Sequence, residues 1–249
     1  MNESWCDCMT VRVAMWSGPR NISTAMLRSW ENRPDTYVCD EPLYAYYLNE
    51  TGIEHPGRKE VIESGEIDWK KVTNELIERN PENRTIFYQK HMTHHLLPNI
   101  EREWMKKMKN CFLIRDPKEV ILSYSKTRSE FTIEDIGILQ QKEIFDYILE
   151  MEGESPPIID SKDVLENPKK ILEALCKRLK IPFYEQMLKW PKGERDTDGI
   201  WGKYWYHNVT TTSEFMRHQP KNEILDECFE EIYEKCLPYY EKMHEMRIK

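Results

Sequence analysis

The chain has 249 residues, 39% hydrophobic and 11% aromatic, and its 36 Lys and Arg against 44 Asp and Glu leave a net charge of −8. That apolar content supports a core and excludes global disorder, while the acidic balance argues against a dedicated nucleic-acid binder. No run approaches the length of a membrane span, residues 1–10 have no apolar leader core, and the seven Cys lack the spacing of a disulfide scaffold, so a reducing, cytoplasmic setting is expected.

The first apolar run, 11–16, has strand length and leads through Ser17, Gly18, Pro19, Arg20, Asn21 and Ile22 into a helix over 23–31. Gly18 allows close backbone approach, Pro19 sets a turn, and Arg20 offers a planar donor fork to phosphate or sulfate. Ser23 and Thr24 stand where a helix start leaves unpaired N–H groups and a positive dipole end. An ordinary helix cap at Ser23 accounts for the same residues equally well. The G-x-x-x-x-G-K-[ST] pattern is absent, so a Mg-ATP site is weakly supported.

A second strand, 36–40, is followed by Glu41. Ligands in parallel sheets bind at the carboxyl ends of the strands, which makes Glu41 a candidate base; a carboxylate favouring a helix start is the equal alternative. A helix over 69–79 precedes a third strand, 85–89, and then His91, His94 and His95. Metal binding by these histidines lacks an H-E-x-x-H pattern or a nearby Cys pair, so polar lining of a pocket is preferred. Cys6-Asp7-Cys8 is read as an accidental pair.

The fourth strand, 110–114, ends on Arg115. Asp116-Pro117 then opens a helix over 118–126 that carries Ser123. Arg115 and Ser123 are placed to grip one phosphate, or Arg115 and Asp116 form a capped corner. Apolar residues Ile138, Ile144, Phe145, Ile148 and Leu149 predict an amphipathic helix over 133–151. A short strand, 157–160, is followed by a helix over 168–179, with Asn167 as cap and Pro168 in its first position. Residues 184–215 have no period but carry Trp190, Trp201, Tyr204, Trp205 and Tyr206, which predicts an ordered lid. A last helix is expected over 222–246. Strands alternating with helices predict an α/β fold with a parallel sheet covered on both faces.

Several of these segments resemble one family. Ile114-Arg115-Asp116-Pro117-Lys118-Glu119-Val120, with Ser123 eight residues after Arg115, resembles the sulfotransferase motif R-[ND]-P-[KR]-[DE]-V. In that family the motif binds the 3′-phosphate of 3′-phosphoadenosine-5′-phosphosulfate (PAPS). Pro19-Arg20-Asn21-Ile22-Ser23-Thr24 resembles the family's 5′-phosphosulfate loop, P-K-S-G-T-T, with Arg20 at the lysine and the hydroxyl pair kept. Ala25 stands where many members have a Trp near the adenine. The stretch from Gln89 to Pro98 is similar to K-T-H-L-P-x-x-L-L-P, which sets His91 on the catalytic base and Gln89 on the lysine, with Lys90 one residue along. Asp160 to Pro168 looks like the family's D-x-x-D-L-x-x-x-P stretch, and Asp40-Glu41-Pro42-Leu43-Tyr44 looks like a feature of a divergent small-molecule branch. Beyond residue 183 the resemblance fades, and Gly199-Ile200-Trp201-Gly202-Lys203 is a loose counterpart of the K-G-x-x-G-D-W-K loop.

The resemblance implies a three-layer α/β/α domain of P-loop NTPase-like architecture over 1–249, with a core at 11–183 and a lid and helix at 184–249. It implies PAPS as donor, 3′,5′-bisphosphoadenosine (PAP) as product, a small-molecule acceptor, and no metal. Gly18, Pro19, Arg20, Asn21, Ile22, Ser23, Thr24, Arg115 and Ser123 would bind the nucleotide. His91 would be the base, with Glu41 competing, and Arg20 would stabilise the leaving group. Glu41, Tyr44, His94, His95 and Trp201 would line the acceptor pocket, joined by Tyr47 and Trp205. A catalytically silent nucleotide-binding protein of the same fold is the alternative, and a small-metabolite kinase a weaker one. Monomer and homodimer both stay open, because the K-x-x-x-T-V-x-x-x-E dimer motif is not recognisable.

Overall fold

The computed structural model describes residues 10–79, 82, 84–128, 130–220 and 223–249; Cys6, Cys8 and Asn222 lie outside them. Five strands form one sheet: β1 (Val11–Ser17), β2 (Thr36–Asp40), β3 (Ile86–Met92), β4 (Lys109–Ile114) and β5 (Ile158–Asp160). Their order is β2-β3-β1-β4-β5 and every pairing is parallel, so all carboxyl ends meet at one edge. The helices are α1 (Ser23–Glu31), α2 (Tyr44–Thr51), α3 (Arg58–Ser64), α4 (Trp69–Glu78), α5 (Pro117–Tyr124), α6 (Ile133–Ile136), α7 (Ile138–Glu152), α8 (Ser161–Glu166), α9 (Pro168–Arg178), α10 (Gly202–Trp205), α11 (His207–Thr210) and α12 (Glu230–Glu245).

Alternate residues of each strand feed two cores. On one face, Val13, Met15, Ile86, Tyr88 and Leu113 pack with Met26, Leu27 and Trp30 of α1 and with Ile171, Leu172 and Leu175 of α9. On the other, Ala14, Trp16, Phe87, Phe112 and Ile114 pack with α4, α7 and Met243 of α12. The three layers and the parallel sheet agree with the fold expected from sequence. Among the described residues no helix is long and apolar enough to cross a membrane.

Four local features differ from expectation. β3 runs on to Met92, because Lys90, His91 and Met92 pair in register with Met15, Trp16 and Ser17 of β1. The helix expected over 133–151 breaks at Gly137, whose φ of 72° suits glycine, and its carbonyl accepts a bond from Thr93 Oγ1 at 2.7 Å. Helices α2, α3 and α8 were not foreseen. The last helix, expected over 222–246, is confined to Glu230–Glu245. The stretch 184–215 is ordered and packed, as expected: Trp190 is buried, its backbone N–H donates to the Ser213 carbonyl at 2.9 Å, and Asp198 pairs with buried Arg28 of α1 at 2.6 Å.

Candidate functional site

The loop between β1 and α1 is locked by its own side chains. Asn21 Oδ1 accepts from the Ile22 N–H at 2.9 Å, and its Nδ2 donates to the Leu113 carbonyl at the end of β4 at 3.1 Å. Arg20 takes a positive φ of 55°, and its Nε donates to Ser123 Oγ on α5 at 3.0 Å. The start of α5 is fixed by Pro117 and by Asp116, whose carboxylate accepts from the Lys118 N–H at 2.8 Å. Arg115 can therefore reach the same loop, where its Nη1 donates to the Arg20 carbonyl at 2.6 Å. Its Nε and Nη2 donate to Glu119 Oε2 at 3.0 and 2.9 Å, and Glu119 Oε1 meets His218 Nε2 at 2.7 Å.

A second group lies at the ends of β2 and β3. Lys90 is 1% exposed, and its Nζ donates to Asp40 at 2.8 Å, Glu41 Oε1 at 2.6 Å and the Tyr206 hydroxyl at 2.8 Å. Tyr206 in turn donates to Asp40 Oδ2 at 2.5 Å, so a residue between α10 and α11 completes the cluster. Burial by itself would discharge Lys90, but Asp40 and Glu41 hold it well above the usual lysine range. Glu41 has a φ of 42°, and its N–H donates to the Lys90 carbonyl at 3.0 Å. Burial raises its carboxyl above the usual range, against the pull of Lys90. The other oxygen, Oε2, has His95 Nδ1 at 4.0 Å, beyond hydrogen-bond reach. His95 is clamped between the rings of Tyr44 and Tyr47, each 4.7 Å away. His55, bonded to the Tyr44 hydroxyl at 2.9 Å, is lowered to about 4 by burial, and His94 to about 3. These imidazoles are neutral at neutral pH.

Both groups line one cleft of about 690 Å³ at the carboxyl edge of the sheet. Pro19, Arg20, Asn21, Ile22, Ser23, Thr24, Arg115, Ser123, Glu41, Tyr44, His94 and His95 all face it. Four residues expected there do not: Gly18, Tyr47, Trp201 and His91. Gly18 packs against α6, where a Cβ would come within 2.8 Å of the Ile136 carbonyl oxygen, so its glycine serves a close approach inside the protein. Trp201 sits behind Tyr44, edge to face at 5.2 Å, and donates to the Tyr206 hydroxyl at 3.2 Å; Trp205 lines the cleft instead.

The expected base, His91, is the main correction. It points to the opposite face of the sheet, stacked on Trp16 at 4.4 Å, with Nε2 3.1 Å from Gln89 Oε1. Burial lowers it to about 3. Gln89 shares that face and donates to the Leu76 carbonyl at 3.0 Å. Lys90 and Met92 are the residues of β3 that face the cleft, one position along from the motif reading. The period of two gave no signal, since both parities of β3 are core, Ile86 and Tyr88 on one face and Phe87 on the other. For Tyr206 and His55, far away in sequence and without pattern, there was none either.

Comparison with known proteins bears on this geometry. Two Arabidopsis thaliana proteins called branched-chain-amino-acid aminotransferase-like protein 2 and protein 1 are each 32% identical to the chain over 225 residues, 90% of its length. The chain spans only about 40% of the length of those relatives. The sulfotransferase domain from the curacin biosynthetic pathway superposes with a TM-score of 0.50 at 15% identity, covering 91% of this chain and 97% of that one. A sulfotransferase from Alicyclobacillus acidocaldarius superposes with a TM-score of 0.51 at 10% identity, covering 96% and 97%. At such identities the likeness is one of fold. The family model described as Sulfotransferase domain matches residues 11–247, nearly the whole chain, and the chain belongs to that family.

Proposed function

We propose that the protein transfers a sulfuryl group from PAPS to a small-molecule acceptor, with Glu41 as the base in place of His91. The reading is carried by one observation: a single cleft is lined by Arg20, Arg115, Ser23, Thr24 and Ser123 together with the partly buried Glu41 carboxylate, whose Oε1 is held by Lys90. The residues suit a nucleotide with more than one anionic group, because among the described residues Arg20 has no carboxylate partner. When bound, PAPS supplies the sulfuryl group. The Ser23 and Thr24 hydroxyls and the first N–H groups of α1 hold negative charge on the departing phosphate oxygen. Glu41 Oε2 takes the proton of the attacking acceptor group, and its raised affinity for protons suits that task near neutral pH. Lys90 fixes Glu41 through Oε1 and so keeps Oε2 turned to the acceptor. Tyr44, His94 and His95 wall the acceptor side.

Calorimetric titration with PAP, adenosine 5′-phosphate and Mg-ATP tests the donor half, and transfer of label from ³⁵S-PAPS across an acceptor panel tests the chemistry. PAP should bind in clear preference to both other nucleotides, and a labelled product should form. Equal binding of the three, or tighter binding of Mg-ATP, would sink the proposal; tight PAP binding with no product from any acceptor would favour a silent nucleotide-binding role.

A further inference from the structure

Arg20 occupies the loop that the motif comparison assigns to the 5′-phosphosulfate, yet its side chain goes elsewhere. With its φ of 55°, the residue leaves the extended path and sends Nε to Ser123 Oγ at 3.0 Å, across 103 residues of sequence. Arg115 arrives at the same place from the end of β4, bonded to the Arg20 carbonyl at 2.6 Å. Two guanidiniums and a hydroxyl, from three separate elements, thus converge on one corner of the cleft.

The two cations are not equivalent. Arg115 is compensated by Glu119, at 2.9 Å. Arg20 has no carboxylate partner among the described residues, and burial, then the neighbouring Arg115, disfavour its charge. A partly buried guanidinium beside a second one is costly unless an anion joins them. Ser123 accepts from Arg20 through its oxygen, which leaves its own O–H to point at that anion.

We infer that Arg20, with Arg115 and Ser123, holds the 3′-phosphate of the nucleotide, and that Arg20 thereby selects a 3′,5′-bisphosphorylated nucleotide over a 5′-monophosphate. This rests on the sulfotransferase reading for the identity of the nucleotide. The 5′ side is then left to neutral donors: Ser23, Thr24 and the N–H groups at the start of α1.

The test is calorimetry with PAP and with adenosine 5′-phosphate on wild type, Arg20→Asn and Ser123→Ala. Asn tolerates a left-handed backbone, so the loop keeps its path. Arg20→Asn should weaken PAP about ten- to a hundredfold and leave adenosine 5′-phosphate within about twofold. Ser123→Ala should show the same selectivity with a smaller loss, and it serves should the Arg20 variant fail to fold. Equal losses for both ligands would assign Arg20 to the 5′ group, and no loss for either would remove it from the site; both overturn the inference. A wild type without preference for the bisphosphate would instead bring down the sulfotransferase reading itself, and the inference with it.

Discussion

Lys90 and His91 are neighbours on β3, both 1% exposed, and their surroundings are opposite. Lys90 faces the cleft, where two carboxylates and the Tyr206 hydroxyl keep it charged. His91 faces a layer of Trp16 and Trp104 with one neutral amide partner, and that layer keeps it uncharged. Burial is the same for both; the partner decides whether a buried ionisable group carries charge. A shift of one residue on a strand exchanges these two environments completely. A motif read one position off therefore points to the other face of the sheet while finding the right strand.

The largest effect expected from this contrast is on rate. Glu41→Gln, on the cleft side, should lower kcat by about 10²–10⁴ with PAP binding unchanged, as loss of a general base does. His91→Phe should leave kcat within about threefold, because an imidazole behind the sheet reaches no substrate. Wild-type activity should fall as pH drops through a value above the ordinary carboxylate range, in line with the raised Glu41 proton affinity. A His91 variant as inactive as the Glu41 variant, and normally folded, would reverse the assignment of the two faces.

Next comes stability. Lys90→Met would leave Asp40 and Glu41 buried together without their cation, at a cost of about 3–5 kcal/mol in urea unfolding. Much of that loss should return in the Asp40→Asn, Lys90→Met double variant, since the uncompensated charge then goes with its partner. A single Lys90 variant that unfolds like wild type would mean that the Lys90 cluster adds nothing net to stability.

What was legible in the chain was what local chemistry dictates. Glycine, proline and a capping residue mark the turns after β1 and β4, and strands of β-branched and aromatic residues alternate with helices, so the α/β architecture could be read directly. The positions of Arg20, Arg115 and Ser123 followed, since each lies within a few residues of such a mark. The end of β3 was not legible, because Gln89, Lys90 and His91 look like loop by composition and are strand by virtue of distant partners. Asp40 lies 50 residues from Lys90 and Tyr206 lies 116 away, and no local window contains either. Gly137 broke a regular apolar period for a tertiary reason, the Thr93 hydroxyl packed against it. Trp201 and Trp205 share a stretch without period, so only the packed structure could separate the one that backs the wall from the one that forms it.

The smallest effect is the most specific to the hidden face. An unfolded histidine titrates near 6.5, whereas His91 in the folded protein is lowered to about 3 by burial. Between those values the unfolded chain binds a proton that the folded protein does not, so stability falls as pH drops below 6.5. Each such site contributes a slope of about 1.4 kcal/mol per pH unit. His94 and His55 on the cleft side act in the same direction, while Glu41, whose folded affinity for protons is raised, acts in the opposite one. His91→Phe keeps the ring stack and deletes one titrating group. It should flatten the pH dependence of unfolding free energy by the equivalent of one proton between about pH 5.5 and 4, whatever it costs at pH 8. Glu41→Gln should steepen the same curve, because it removes the opposing contribution. Opposite changes of slope from two residues on β3 and its neighbour would measure the two faces of the sheet separately; an unchanged slope in His91→Phe would mean that His91 is protonated alike in folded and unfolded chains, and the dry layer around Trp16 would have to be abandoned.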